Sequence, residues 1–212
     1  MRVNYSYKLI LLIVFAITFS CYVYAQENFR FGVTGGILSS TQKYNYNGTS
    51  DTENSKTGFD FGFMLEGPIN RSLMLDMGLC FAIKGYSYNT EPSQSRILEN
   101  FSYMEMPLYL ACNLAISKNK LAVVPYAGFY FGFLIEAQNS IDSRDYDFAE
   151  EYFNTFDSGF KLGAAIDIGK NMRIGIEKTL GFINLYKTDE NSNMNDNKLY
   201  NQDTRTLLTF FF

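Results

Sequence analysis

Eleven charged residues recur on one parity of otherwise apolar, alternating segments: Arg30, Asp60, Glu66, Asp76, Lys84, Glu105, Lys161, Asp167, Arg173, Glu177 and Arg205. Carboxylates set among cations in this way could do one of two things. They could divide into acid and base roles, as paired carboxylates do where their environments push their pKa values apart. Or they could pair with the cations and rigidify an interior in which a lone buried charge is strongly destabilising. The mixed signs favour the ion-pair network. Histidine is absent from the 212 residues, which removes the usual proton shuttle near neutral pH and the commonest zinc ligand. Ser-His and Asp-His hydrolase arrangements are thereby excluded, and the reading is of a protein that is not an enzyme, with no cofactor and no metal.

The segments that carry these residues alternate with period two. Eight strands are predicted at 28–38, 57–67, 72–88, 101–114, 123–135, 156–168, 172–185 and 204–212. In the second, Phe59, Phe61, Phe63 and Leu65 alternate with Asp60, Gly62, Met64 and Glu66; in the fifth, Ala127, Phe129, Phe131 and Phe133 alternate with Tyr126, Gly128, Tyr130 and Gly132. Each strand is long enough to cross a bilayer at a tilt. Short links at 68–71, 117–120 and 169–171 alternate with long polar ones at 39–56, 89–100, 136–155 and 186–203. Short turns on one side and long loops on the other are the pattern of an outer-membrane barrel with both termini in the periplasm. The fold class expected is therefore all-β, an eight-stranded antiparallel up-and-down transmembrane β-barrel. Its apolar face looks outward to lipid, and its interior is just wide enough for side chains to fill. A soluble secreted barrel that binds an apolar ligand is the alternative on fold.

Composition agrees. Aromatic residues make up 17% of the chain with no Trp, and mean hydropathy is −0.11, so apolar residues must be hidden in alternation and not in one long run. The first residues carry Arg2 and Lys8 without an acid, followed by an apolar run from Leu9 to Phe19 and a Val23-Tyr24-Ala25 cleavage pattern. This layout predicts a signal peptide at 1–25 and a barrel domain at 26–212. A short membrane anchor and lipidation at Cys21 are the competing readings, the second weakened by bulky Phe19 in its motif. Losing two cations takes the formal charge from −4 to −6, which argues against a nucleic-acid partner. Cys80 and Cys112 fall on opposite parities, so no structural disulfide is expected between them.

Three further features carry weight. The last strand ends with Leu208, Phe210 and Phe212 on its apolar face, and nothing in a merely hydrophobic strand calls for Phe at the final carboxylate. The third long link is acidic, with Glu136, Asp142, Asp145, Asp147, Glu150, Glu151 and Asp157 against Arg144 alone; several oxygens at short spacing could hold a hard cation, although solvation is the plainer account. Tyr44, Tyr46, Tyr86 and Tyr88 would form either an interfacial aromatic girdle or a binding surface. Flanking charges should also pair: Asp167 with Arg173 across the 169–171 turn, and Glu177 with Arg205 on the last strand.

The chain resembles the small porin-like, PorT-like outer-membrane barrels of Bacteroidetes and, more distantly, the OmpX type. The likeness is carried by Tyr103-Met104-Glu105-Met106-Pro107-Leu108-Tyr109-Leu110, Pro125-Tyr126-Ala127-Gly128, Asp157-Ser158-Gly159-Phe160-Lys161-Leu162-Gly163 and the Phe212 end. It spans about residue 29 to the last. The stretch Glu177-Lys178-Thr179-Leu180-Gly181-Phe182 departs from the Tyr-containing pattern of that strand. The resemblance implies that Leu208, Phe210 and Phe212 form the signal read by barrel-assembly machinery. The expected partners are thus outer-membrane lipid, that machinery and a larger outer-membrane complex. The expected role is structural or interactive through four outer loops, with a narrow channel for ions or small solutes as the alternative.

Overall fold

A computed structural model describes residues 29–46, 49–52, 54–90, 95–117, 120–141, 144–147, 153–187 and 198–212. The predicted signal peptide lies outside the described residues. Eight long strands form the wall: β1 (Arg30–Tyr46), β2 (Asn54–Pro68), β3 (Leu73–Thr90), β4 (Ser95–Cys112), β5 (Leu121–Ile141), β6 (Phe156–Ile168), β7 (Met172–Gly181) and β8 (Lys198–Phe211). Each pairs antiparallel with the next, and β8 returns to β1 in a ladder from Gly32↔Phe211 to Asn45↔Lys198. The sheet is a closed barrel, which leaves no edge and no unpaired ladder in hydrocarbon.

The barrel is inside out relative to a water-soluble one. On the wall, Phe61 is 56% exposed and Ile176 58%, whereas Lys84, Glu105, Lys161 and Arg205 are at most 2% exposed inside. Phe31 stacks on Phe63, and Phe129 meets Phe160 edge-on across neighbouring strands of that outer face. Large apolar side chains outside and charges inside form a stable arrangement only where the surroundings are lipid. The soluble-barrel alternative fails on this wall.

Glycine on the lumen face has a specific partner. A Cβ on Gly163 would stand 2.4 Å from the Tyr126 ring, and one on Gly159 would stand 2.6 Å from the Tyr130 ring. The tyrosines of β5 thus reach over the β6 glycines directly opposite them in the ladder, an aromatic-over-glycine pairing of the kind that pins register in curved sheets. At the turn end, Gly169 adopts φ 67° in the tight β6–β7 link, and Asn70 Oδ1 accepts from the amides of Ser72 and Leu73 in the β2–β3 link.

The strands outrun their predicted bounds at the other end. β1 continues to Tyr46 and β5 to Ile141, and β8 begins at Lys198, so much of the predicted 39–56, 136–155 and 186–203 loops is strand. Two short strands extend these hairpins, Thr49–Thr52 on β1 and Arg144–Asp147 on β5. Past the apolar band the outward face no longer has to be apolar, so the alternation stops while the ladder continues and the inward face stays buried. β7 does the reverse, ending at Gly181, and Leu185 folds back to 1% exposure. Cys80 is buried on the lumen side and Cys112 is half-buried; neither forms a disulfide.

Candidate functional site in the barrel lumen

All eleven charged residues singled out in the sequence lie on the lumen side, and they gather into two clusters. The central cluster is built on Arg205. Its Nε donates to Asp203 Oδ1 at 2.6 Å, its Nη1 to Asp60 Oδ2 at 3.0 Å, and its Nη2 reaches Glu105 Oε2 at 2.9 Å. Lys84 binds the other oxygen of Glu105 at 2.5 Å and Asp203 Oδ2 at 3.2 Å. Lys161 bridges Glu105 and Glu177 at 3.0 and 3.1 Å. Tyr109 donates to Glu177 at 2.7 Å, and the Tyr130 ring faces Lys84 and Lys161 at 4.8 and 5.3 Å. The cluster therefore draws on every strand except β1.

The second cluster sits at the turn end. Arg173 reaches Asp167, Glu66 and Asp76 at 2.6, 2.6 and 2.9 Å. Arg30 adds a contact to Glu66 at 2.5 Å and one to Asp167 at 3.4 Å. The Phe211 ring lies under both guanidinium groups, 4.4 Å from Arg30 and 5.0 Å from Arg173. Asp167 and Arg173 are direct cross-strand partners, as are Glu177 and Arg205, although the latter contact is the longer one at 3.7 Å. Between the clusters Met64, Cys80, Tyr109, Tyr126 and Ala165 line a cavity of about 50 Å³, room for a few waters. Outside the second cluster a vestibule of about 290 Å³ opens between Arg30, Asn113, Lys120 and Lys170.

The loop end is closed by an apolar cap. Tyr86, Phe101, Tyr103, Phe153, Leu185 and Leu199 pack together, all at most 3% exposed. The cap is tied down by backbone bonds from Asn154 to Leu185 and from Leu185 to Leu199, at 2.7 and 2.8 Å. Below it, Asp157 accepts from Tyr130 and from Asn201, each at 2.8 Å.

Four placements correct the sequence reading. Asp157, assigned to the acidic outer link, is fully buried in the lumen. Tyr86, assigned to a girdle or surface, faces inward and donates to Glu99. Glu99 itself, assigned to a long loop, is a buried lumen residue on β4. Asp203, a ligand of both Arg205 and Lys84, was missed because the last strand was begun at Thr204. The parity of β8, continued two residues upstream, points Asp203 inward and was the signal available. Most of the acidic link and the side chains of Tyr44, Tyr46 and Tyr88 fall outside the described residues.

This arrangement binds charge to charge. Each guanidinium is engaged by several carboxylates, and none of the pairs presents a nucleophile beside a base. What the geometry supplies chemically is cross-bracing: a closed barrel whose opposite walls are tied through its axis.

Such a fold, lipid-facing outside and ion-paired inside, defines an outer-membrane β-barrel protein. The chain belongs to the family described as outer membrane protein beta-barrel domain, whose model matches residues 24–187. Among solved structures it is similar to Ail, the attachment invasion locus protein of Yersinia pestis, at TM-score 0.43 and 13% identity, covering 87% of this chain and 99% of that one. It is similar also to Neisserial surface protein A, at TM-score 0.43 and 13% identity over 86% and 97% of the two chains. CarO of Acinetobacter baumannii follows at TM-score 0.40 and 13% identity, over 84% and 97%. No curated protein matches the sequence.

Proposed function

We propose that this outer-membrane barrel is a closed, non-conducting and non-enzymatic module that acts through its surfaces. The observation that carries the reading is the central cluster. Arg205, Glu105, Lys84 and Lys161 meet across the axis from four different strands, directly below an apolar cap. A solute path would have to break both. The working surfaces are then the outer loops and the lipid-facing wall, with a larger membrane complex as partner. Export by a signal peptide, both termini in the periplasm and delivery through the Leu208, Phe210 and Phe212 signal belong to the same reading. Membership of the PorT-like Bacteroidetes group is supported by the 103–110 and 157–163 motifs.

A narrow channel is the second reading, favoured by the cavity between the clusters and the vestibule beyond it. Among the described residues nothing donates to buried Asp60 Oδ1 or Asp76 Oδ1 in that region. Planar-bilayer recording of the refolded protein decides between the two, with folding checked by heat-modifiable gel migration. A folded protein that stays silent is expected. Discrete, ion-dependent current steps would overturn the closed-barrel reading.

A further inference from the structure

We propose that the lipid-facing wall along the β7–β8–β1 seam docks a second membrane-embedded protein that presents a carboxylate to Lys178. The inference deepens the reading of the barrel as an interaction module by naming the face and the partner's chemistry. It starts from one residue of the wrong kind. Even-numbered residues of β7 face outward, and Ile174, Ile176, Leu180 and Phe182 are 43, 58, 44 and 53% exposed. Lys178 lies between them on the same face and is itself exposed. Ile174 and Ile176 precede it and Leu180 and Phe182 follow it on the outer face, so it stands within the apolar band.

A lysine at that depth on the lipid face of a barrel is destabilising, and a charge kept inside a membrane marks a functional site by default. Its ammonium donates to Thr204 Oγ1 at 3.3 Å. A neutral hydroxyl takes a hydrogen bond but leaves the charge uncompensated. The surroundings are polar as well. Thr204 pairs with Ser39 across the closing ladder, and Gln202 pairs with Thr41; by parity all four point outward. The opposite wall carries Leu79, Met106, Phe129 and Phe131 at 41 to 51% exposure. A polar strip thus climbs the wall from Lys178 and Thr204 through Ser39 toward the loop end.

Charge complementarity identifies the occupant. Among the described residues, the outward faces of β6, β7, β8 and β1 hold no Asp or Glu, and exposed Lys43 adds a second positive charge. A second copy of this chain using the same face would set lysine against lysine. Lipid phosphate lies at the rims, beyond Leu180 and Phe182. A membrane-spanning protein with an Asp or Glu at matching depth neutralises the ammonium in a low-dielectric setting, where such a pair is strong. Its own hydroxyls or amides would meet Thr204 and Gln202.

The test uses the full chain in its native outer membrane, treated with dicyclohexylcarbodiimide, which enters the apolar phase and joins amine to carboxylate. The expected product is a larger adduct in which mass spectrometry finds Lys178 amide-linked to an Asp or Glu within a membrane-spanning segment of another protein. Lys178→Leu should lose the adduct and the slower-migrating native-gel species, while the isolated barrel still folds and resists urea better than wild type. Lys178→Arg, which carbodiimide does not link, should keep the native-gel species. Two results overturn the proposal: a link only to a second copy of the chain, or unchanged native migration in Lys178→Leu with no link in wild type. Neither readout depends on whether the lumen conducts, so this inference and the closed-barrel reading fail separately.

Discussion

Arg205 on β8 and Glu105 on β4 meet through the centre of the barrel, Nη2 to Oε2 at 2.9 Å. Three strands lie between β4 and β8 in either direction round the closed wall, so this pair spans a diameter. Local alternation builds each strand, but it does not choose how far round the sheet must travel before it closes. A set of interlocking charges across the axis does, because each carboxylate has to find a cation at one closure and would be stranded at another. The interior thereby contributes specificity of closure as well as rigidity.

Removing the hub should be costly. Arg205→Ala strands buried Asp60 and leaves Asp203 and Glu105 to the two lysines alone. Loss of one partner from a buried ion pair costs about 3–5 kcal/mol. Urea unfolding of the variant in lipid vesicles should show a loss of that order. A change below about 1 kcal/mol would mean that water reaches the cluster and that the lumen is wetter than its packing implies.

The two arginines at the turn end should differ, although they share Glu66 and Asp167. The Arg173 side chain is 9% exposed and holds three carboxylates. The Arg30 side chain is 27% exposed at the mouth, where a salt bridge contributes only about 0–1 kcal/mol. Arg173→Ala should therefore destabilise by about 3–5 kcal/mol and Arg30→Ala by far less, both read from unfolding midpoints. Equal losses would refute the difference in burial on which the contrast rests.

How much of this could be read from the sequence follows from where lipid enforces a pattern. Within the bilayer nearly every outward residue is apolar, Lys178 being the exception on β7, so the strand cores, the inward parity of the charges and the pairing of Asp167 with Arg173 were all legible. Outside it the constraint lapses. Asp203 and Glu99 sit on strands that carry on past the apolar alternation, so they read as loop. In the sequence Asp157 follows a run of acids and shares their composition, yet it is buried under the cap. The cap was legible only in part: Tyr86, Phe101, Tyr103 and Leu185 fall within predicted strands, but Phe153 reaches the mouth from a segment with no period to betray it.

Glycine placement makes a local prediction. Gly163→Ala would put a methyl group 2.4 Å from the Tyr126 ring, and that ring is packed edge-on against Tyr109 at 5.1 Å, so it has little freedom to move. Forcing one carbon into a filled interior costs about 1–3 kcal/mol. Because ring and methyl compete for one space, Gly163→Ala combined with Tyr126→Ala should cost less than the sum of the single changes. Additive losses from the double-mutant cycle would show that the ring can swing aside without penalty.

A change at the end of the C-terminal strand can tell folding from delivery. Phe212 is 78% exposed, its amide donates to Phe31 O at 2.8 Å, and its ring stacks beside Phe31 with centroids 6.4 Å apart. A ring so open to lipid contributes little packing, and replacing it with alanine keeps the backbone bond that holds the strand end. Phe212→Ala should therefore refold into vesicles with nearly wild-type stability, since surface changes away from special features stay within about 0.5 kcal/mol. In cells the same variant should reach the outer membrane poorly, if assembly machinery reads Leu208, Phe210 and Phe212 as a unit. The two measurements are refolding yield in vitro and heat-modifiable barrel recovered from membranes in vivo. A variant impaired equally in both would make Phe212 a structural residue and remove the argument for a signal; one impaired in neither would leave the terminal phenylalanine without a role in assembly.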